Sequence, residues 1–304
     1  MKRILITGAG NLGLALHDHF IDLETYEPIL VAKHSPASCK INSITGDITR
    51  PESMAEVFQE LKPNVIIHTA ALTDVDLCEK EPNIAHLVNV EGTRNLVRLC
   101  EGDAIPLIYI STDYIFDGMK GNYRENDSPN PLNTYGRTKL EGEQIIKEMK
   151  GGEWAVIRTS FLFNASSPNY DFISYVFHGL KENKKIKYDD FRLTKPTNCR
   201  CLGPPIERII SRGLRGVYHI CGRDTLSPYD LARNCAVLSG FDPASIAIRK
   251  GRRSGARRPL NPSLNTEKAE RELGFTHPEL HACLKYYFET MTRDSLRSTK
   301  QRLY

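Results

Sequence analysis

Residues 2–20 read KRILITGAGNLGLALHDHF. Lys2–Thr7 is a short apolar run suited to a strand. Gly8-Ala9-Gly10-Asn11-Leu12-Gly13 then has the G-x-G-x-x-G spacing, and Leu12, Leu14, Leu16 and Phe20 follow at helical intervals. Strand, glycine turn and helix in that order are the context in which this spacing holds a dinucleotide. Gly8 permits the tight turn, Gly10 lets the backbone approach a pyrophosphate, and Gly13 lets helix and strand pack closely. The helix start at Asn11 and Leu12 offers N–H groups and positive potential to phosphate.

Downstream the chain keeps alternating. Pro28–Ala32 reads as a second strand that runs into Lys33, His34 and Ser35. A carboxylate there would hold the ribose hydroxyl of NAD, whereas cations suit the 2′-phosphate of NADP, the cofactor expected here. Ile44–Ile48 reads as the third strand, with Asp47 near its end, and Pro51–Leu61 as an amphipathic helix. Val65–Ala71 is a continuous apolar run, the mark of a buried parallel strand, and Ala70 and Ala71 leave room for a flat ligand. Asn83–Cys100 reads as one long helix, Pro106–Ser111 as a strand ending at Thr112, and Trp154–Phe163 as another strand. The expected fold is α/β, a doubly wound parallel sheet of the Rossmann type. Residues 1–163 would form the dinucleotide-binding domain. Residues 164–304 would form a smaller α/β substrate-binding region, with about 185–222 returning to the sheet.

Composition bounds the function. The chain has 304 residues, a net charge of +4, 40% hydrophobic and 26% charged residues, which suits a globular protein with a sizeable core. No apolar run approaches a membrane span, and MKRILITGAG lacks the apolar core of a signal peptide, so a cytoplasmic location is expected. The eight cysteines form no C-x-x-C pair, which suits reduced thiols. Cys199 and Cys201 with His219 and Cys221 would offer four metal ligands, but the spacing is not that of a zinc knuckle and no metal is expected. Arg249–Arg258 holds six cations in ten residues. It has no interleaved aromatic to stack bases, so a small phosphorylated ligand fits better than nucleic acid.

Chemistry concentrates in residues 111–143, STDYIFDGMKGNYRENDSPNPLNTYGRTKLEGE. Tyr135 and Lys139 lie one helical turn apart on one face. The ammonium is expected to favour phenolate and lower the tyrosine pKa, making Tyr135 a proton donor. Thr112, at the carboxyl end of a strand, would hydrogen-bond the same substrate oxygen. The loop from Asp117 to Asn133 is a candidate cover for the substrate or a contact in a homodimer.

The glycine turn, Asn89, Thr112 and Tyr135-x-x-x-Lys139 resemble an extended short-chain dehydrogenase/reductase. DLCEKEPNIAHLVNVEGTRNL, STDYIFDG, NPLNTYGRTKLEGE, VIRTSFLF, GVYHICG and RRPLNPSLNTEKAERELGF resemble, in order, segments of the dTDP-4-dehydrorhamnose reductase family. That resemblance implies NAD(P)H-dependent reduction of the 4-keto group of a nucleotide-linked deoxysugar, as in dTDP-rhamnose biosynthesis. It makes Tyr135 the acid and has Lys139 lower its pKa and hold the nicotinamide ribose. Thr112 would bind the reacting oxygen, and Asp113 would orient the sugar. Asp47 and Ile48 would flank the adenine, and Ala70, Ala71 and Leu72 would pass the ribose and pyrophosphate. Asn89 would act near Lys139. Phe161 stands in the sugar pocket where the family often has Trp, and Arg258 would meet the substrate diphosphate. The glycine turn is one residue shorter than the family's G-x-x-G-x-x-G. Leu193–Thr197 and Cys201-Leu202-Gly203 also depart from its pattern.

Two other readings remain open in the sequence. A relative of this fold is the regulatory β subunit of methionine adenosyltransferase, a non-catalytic cofactor binder. Nucleotide-sugar epimerases and dehydratases share the scaffold, but those dehydratases place Asp-Glu after the threonine, and here Asp113 is followed by Tyr114, which favours simple reduction.

Overall fold

The computed structural model describes residues 1–34, 41–166, 171–251 and 254–301. Ser35, Cys39 and the Arg252-Arg253 pair of the basic stretch lie outside the described residues. The first strand, β1 (Lys2–Thr7), leads through the glycine turn into α1 (Asn11–Ile21) and back to β2 (Tyr26–Ala32). After β3 (Ser43–Thr45), helix α2 (Pro51–Leu61) crosses to β4 (Val65–His68). Helices α3 (Val75–Lys80), α4 (Pro82–His86) and α5 (Gly92–Asp103) precede β5 (Leu107–Thr112), and α6 (Thr134–Lys147) precedes β6 (Trp154–Thr159). The remainder holds β7 (Leu162–Phe163), α7 (Phe172–Lys181), β8 (Ile186–Tyr188), β9 (Thr197–Asn198), α8 (Gly203–Arg212) and β10 (Gly216–His219). It ends with α9 (Pro228–Leu238), β11 (Ile246–Ile248), α10 (Glu267–Leu273) and α11 (Leu280–Gln301).

Seven strands form one sheet in the order β10-β6-β5-β4-β1-β2-β3, and every pairing is parallel. Because successive side chains of a strand point to opposite faces, Ile4 and Ile6 pack in one core layer and Leu5 in the other. The first layer is closed by Leu12 and Leu16 of α1 and Ile206 and Ile209 of α8. The second is closed by α2, α5 and α6, through Met54, Val57, Leu96 and Ile146. Each fully buried aliphatic side chain stabilises the fold by roughly 1.5–3 kcal/mol. The chain leaves β1 towards β2 on one side and β4 on the other, and the divergence opens a crevice at their carboxyl ends.

A third core lies outside the sheet. Ile173 and Val176 of α7, Leu231 of α9, and Leu284 and Tyr287 of α11 enclose it, beside the parallel pair β8 and β11. β7 pairs with β9, and β10 lies beside β6 at the sheet edge.

Several elements differ from the sequence reading: the third strand covers Ser43–Thr45 rather than Ile44–Ile48, and the fourth stops at His68 rather than Ala71. The helix expected over Asn83–Cys100 is interrupted by a π-helical turn at Leu87–Glu91, which turns Asn89 inward; such turns add one residue to the helical repeat. The strand expected over Trp154–Phe163 stops at Thr159 and resumes at Leu162. Phe161 there has φ 43°, in the left-handed region that side-chain-bearing residues rarely adopt. Among the described residues no helix is long and apolar enough to cross a membrane.

Candidate active site

A cleft of about 770 Å³ runs across the carboxyl ends of β1, β4 and β5. Its floor is the glycine turn. Gly8 has φ 92°, and a Cβ on it would lie 2.9 Å from Ala70 Cα. A Cβ on Gly13 would overlap the carbonyl oxygen of Gly8, so α1 packs against the turn only because that residue is glycine. A Cβ on Gly10 meets nothing within 4 Å, so its missing side chain leaves open space in the cleft. No side chain caps the N-terminus of α1. Asn11 lines the cleft, and its buried Oδ1 has no hydrogen-bond partner among the described residues. Open space and uncapped helix donors fit a dinucleotide phosphate.

Leu12, Lys33, His34, Asp47, Ile48, Ala70 and Ala71 line the same cleft. Lys33 and His34 are exposed, and Lys33 Nζ lies 3.1 Å from Asp47 Oδ2. Burial would raise the Asp47 pKa, but hydrogen bonds from Thr49 and the Lys33 ammonium hold it below the ordinary carboxylate range. Lys33 is therefore a cation at the cleft rim with a carboxylate beside it.

Thr112, Tyr135 and Lys139 reach the cleft from two elements. Thr112 ends β5, where its hydroxyl accepts from Tyr114 N at 3.2 Å and donates to Asp113 Oδ1 at 3.2 Å. Tyr135 and Lys139 lie on α6, whose start is fixed by Asn133: its Oδ1 accepts from Gly136 N at 2.8 Å, and its Nδ2 donates to Arg257 O. A Cβ on Gly136 would overlap the carbonyl oxygen of Tyr114, so the YGRTK glycine brings α6 against the segment after Thr112. Lys139 is buried, with Nζ 4.0 Å from the Tyr109 ring centroid.

The electrostatics correct one expectation. Burial dominates at Tyr135 and raises its pKa, with the Thr112 hydroxyl opposing and Asp113 adding to the rise. Burial also lowers Lys139, to about 7, against the pull of Glu143. The lysine one turn along α6 does not bring Tyr135 down in this state, because the cost of burying the phenolate outweighs the Thr112 hydrogen bond that favours it.

Asp113 is buried behind the cleft wall. Its Oδ2 accepts from Ser160 Oγ at 2.6 Å. Burial pushes its carboxyl up to about 7, while the hydrogen bonds from Ser160 and Thr112 act the other way. It thus orders Thr112 and Ser160. Asn89 also stands behind the wall: its Oδ1 accepts from Leu72 N at 2.7 Å, and its Nδ2 donates to Leu72 O and to Thr138 Oγ1. Neither Asn89 nor Leu72 lines the cleft; the pair holds the loop after β4 against α6.

Phe161 lines the cleft, edge-on to Phe172 at 5.1 Å. Arg258 lines a second cavity of about 230 Å³ with Arg192, Phe191 and Met119. Its guanidinium is forked onto Asp76, at 3.0 Å to Oδ1 and 2.8 Å to Oδ2. Tyr114 joins the two regions. Its ring is 5.9 Å from that of Tyr135, and the charges of Arg192 and Arg258 offset part of the rise that burial imposes on its hydroxyl.

The sequence reading did not single out Ser160, Glu143, Tyr109 or Asp76. Ser160 follows Thr159, which is paired with Thr112 across adjacent parallel strands, a register that the sequence does not display. Glu143 is buried on α6 and takes Arg158 Nε at 2.9 Å, Arg158 Nη2 at 2.8 Å and Ser111 Oγ at 2.6 Å. The metal set weighed from Cys199, Cys201, His219 and Cys221 does not assemble. His219 is buried, with Nδ1 against the carbonyl oxygens of Tyr123 and Asn265.

A glycine cradle at the switch point of a parallel seven-stranded sheet, with Thr112, Tyr135 and Lys139 on the same cleft, defines an extended short-chain dehydrogenase/reductase scaffold. The family model described as RmlD substrate binding domain matches residues 1–293, and the chain belongs to that family. Among similar curated proteins, methionine adenosyltransferase 2 subunit beta of Xenopus laevis is 32% identical over 281 residues, covering 89% of this chain and 82% of the relative. A structure of a hypothetical dTDP-4-dehydrorhamnose reductase from Sulfolobus tokodaii is 33% identical with a TM-score of 0.79, covering 90% of this chain and 96% of that one. A dTDP-4-dehydrorhamnose reductase of Bacillus anthracis str. Ames, solved in complex with NADP, is 30% identical with a TM-score of 0.82, covering 95% of this chain and 98% of that one.

Proposed function

We propose that this protein reduces the 4-keto group of a nucleotide-linked deoxysugar with NADPH. The observation that carries the reading is that Thr112, Tyr135 and Lys139 line one cleft with the glycine cradle. The complex of the Bacillus anthracis reductase with NADP supports the cofactor, and Lys33 and His34 at the rim support the phosphorylated form.

Gly8, Gly10 and the start of α1 receive the pyrophosphate. Asp47 and Ile48 flank the adenine end, and Ala70 and Ala71 leave space for the ribose. When bound, the reduced nicotinamide supplies the hydride. Thr112, whose hydroxyl proton points to Asp113 Oδ1 in the free protein, turns it to the carbonyl oxygen as negative charge develops there, and Tyr135 gives that oxygen its phenolic proton. A phenol kept protonated by burial is in the correct state to donate. Lys139, held over the Tyr109 ring, stabilises the phenolate left behind. Asp113 and Ser160 keep Thr112 in place. Arg258, which lines the second cavity, meets the nucleotide diphosphate by turning its fork from Asp76.

The experiment offers purified protein NADPH with dTDP-4-dehydro-6-deoxy-L-lyxo-hexulose and other keto-sugar nucleotides, and follows loss of the reduced cofactor's absorbance. Turnover with at least one keto-sugar nucleotide is expected. The likeness to methionine adenosyltransferase 2 subunit beta favours a second reading, a subunit acting on another enzyme. Tight NADPH binding without turnover of any keto-sugar nucleotide would select it.

A further inference from the structure

Away from the cleft, three side chains converge that the sequence does not bring together. Cys201 lies in the 3-10 turn Cys199–Leu202 after β9, His277 in the link between α10 and α11, and Cys283 in the first turn of α11. Their ligating atoms all lie within 4.8 Å of one another. Tetrahedral zinc bound by thiolates and imidazole sets such atoms roughly 3.5–3.8 Å apart, so a contraction of at most about 1.3 Å completes the geometry. None of the three lines the cleft.

The imidazole is already oriented for this. His277 Nδ1 lies 2.8 Å from the Pro278 carbonyl oxygen, which only accepts, so Nδ1 carries the proton and Nε2 keeps its lone pair. Donation of the far ring nitrogen to a backbone carbonyl is the usual support of a metal-bound histidine. The present partner of Nε2 is the Asn198 backbone N–H at a long 3.3 Å. His277 and Cys283 are buried and Cys201 is partly exposed, so solvent reaches the cluster from one side only.

We propose that Cys201, His277 and Cys283 form a binding site for one thiophilic divalent cation, Zn²⁺, with water as the fourth ligand. Two thiolates and an imidazole select zinc over the oxygen-seeking Mg²⁺ and Ca²⁺. Binding is not a redox step: two thiol protons pass to solvent, and the two thiolates and the imidazole displace waters of the hydrated ion, one of which stays as the fourth ligand. The ion ties the start of α11 to the segment after β9 and so links the third core to the sheet domain. The site does not depend on the reductase reading.

The test uses the reduced full chain stripped of metal and titrated with Co²⁺. One equivalent is expected to bind with a thiolate-to-cobalt charge-transfer band, which Zn²⁺ then abolishes by displacement. Zn²⁺ should also raise the melting temperature of the wild type in a concentration-dependent way. Cys201→Ser, at the partly exposed position, should weaken the band, and Cys201→Ser/Cys283→Ser should abolish it. Metal-free melting of each variant checks that it is folded. Absence of the band in the reduced wild type, or its persistence in the folded double variant, overturns the proposal. So does a Cys201–Cys283 disulfide in the air-exposed protein, seen as a mass lower by two hydrogens, with no cobalt binding after reduction.

Discussion

Replacing Gly10 and Gly13 separately by alanine divides cofactor binding from folding. Gly10 has φ −80° and ψ −175°, a conformation that any residue adopts, and its added Cβ meets no protein atom within 4 Å. Gly10→Ala should therefore change stability by no more than about 0.5 kcal/mol. The methyl would stand where the pyrophosphate passes, so NADPH affinity should fall at least about tenfold, equivalent to ~1.4 kcal/mol. At Gly13 the added Cβ overlaps the Gly8 carbonyl oxygen and lies 3.1 Å from Gly8 C and 3.2 Å from Thr69 Oγ1. Backbone atoms cannot rotate away, so α1 must move off the turn at a cost of about 1–3 kcal/mol. Urea unfolding with a fluorescence titration of NADPH separates the two effects. Gly10→Ala should lose affinity alone, and Gly13→Ala should lose both. A folded Gly10→Ala protein with wild-type NADPH affinity would refute the assignment of the cradle.

Other perturbations follow from the buried charges. The folded-state pKa of Asp113 is raised to about 7 by burial, so the native state holds an extra proton between the ordinary carboxylate range and about 7. Stability should fall as pH rises through that window, and Asp113→Asn should flatten the slope. Lys139 is lowered to about 7, so the unfolded chain holds the extra proton above that pH. Stability should then rise with pH towards the lysine range, and Lys139→Met should remove that limb; urea midpoints that run parallel for wild type and variants would contradict both assignments. Glu143→Ala leaves the buried Arg158 guanidinium without its carboxylate and should cost about 3–5 kcal/mol, and a loss below about 1 kcal/mol in chemical denaturation would contradict it. Arg258→Lys removes the planar fork that meets Asp76. It should raise KM for the sugar nucleotide about tenfold while sparing kcat, and an unchanged KM would separate Arg258 from the substrate.

Much of this was legible because it is local. The β1 strand, the glycine turn and α1 are contiguous, and the period-two burial of Ile4, Leu5 and Ile6 follows from an apolar run alone. Tyr135 and Lys139 needed only helical spacing. What stayed hidden depends on contacts across the chain. Asp113 meets Ser160, 47 residues away, and Arg258 meets Asp76, 182 residues away. The π-helical turn at Leu87–Glu91 follows no residue pattern, and it is what brings Asn89 to Leu72 and Thr138. The pKa expectation for Tyr135 failed because the spacing of charges was readable and the depth of burial was not.

The central claim is that Tyr135 is the proton donor of a ketoreductase. NADPH consumption with a keto-sugar nucleotide, measured side by side for wild type and Tyr135→Phe, tests it most directly. The account predicts that kcat of the variant falls by about 10²-fold or more while its NADPH affinity stays close to that of the wild type. Wild-type turnover retained in Tyr135→Phe would contradict it.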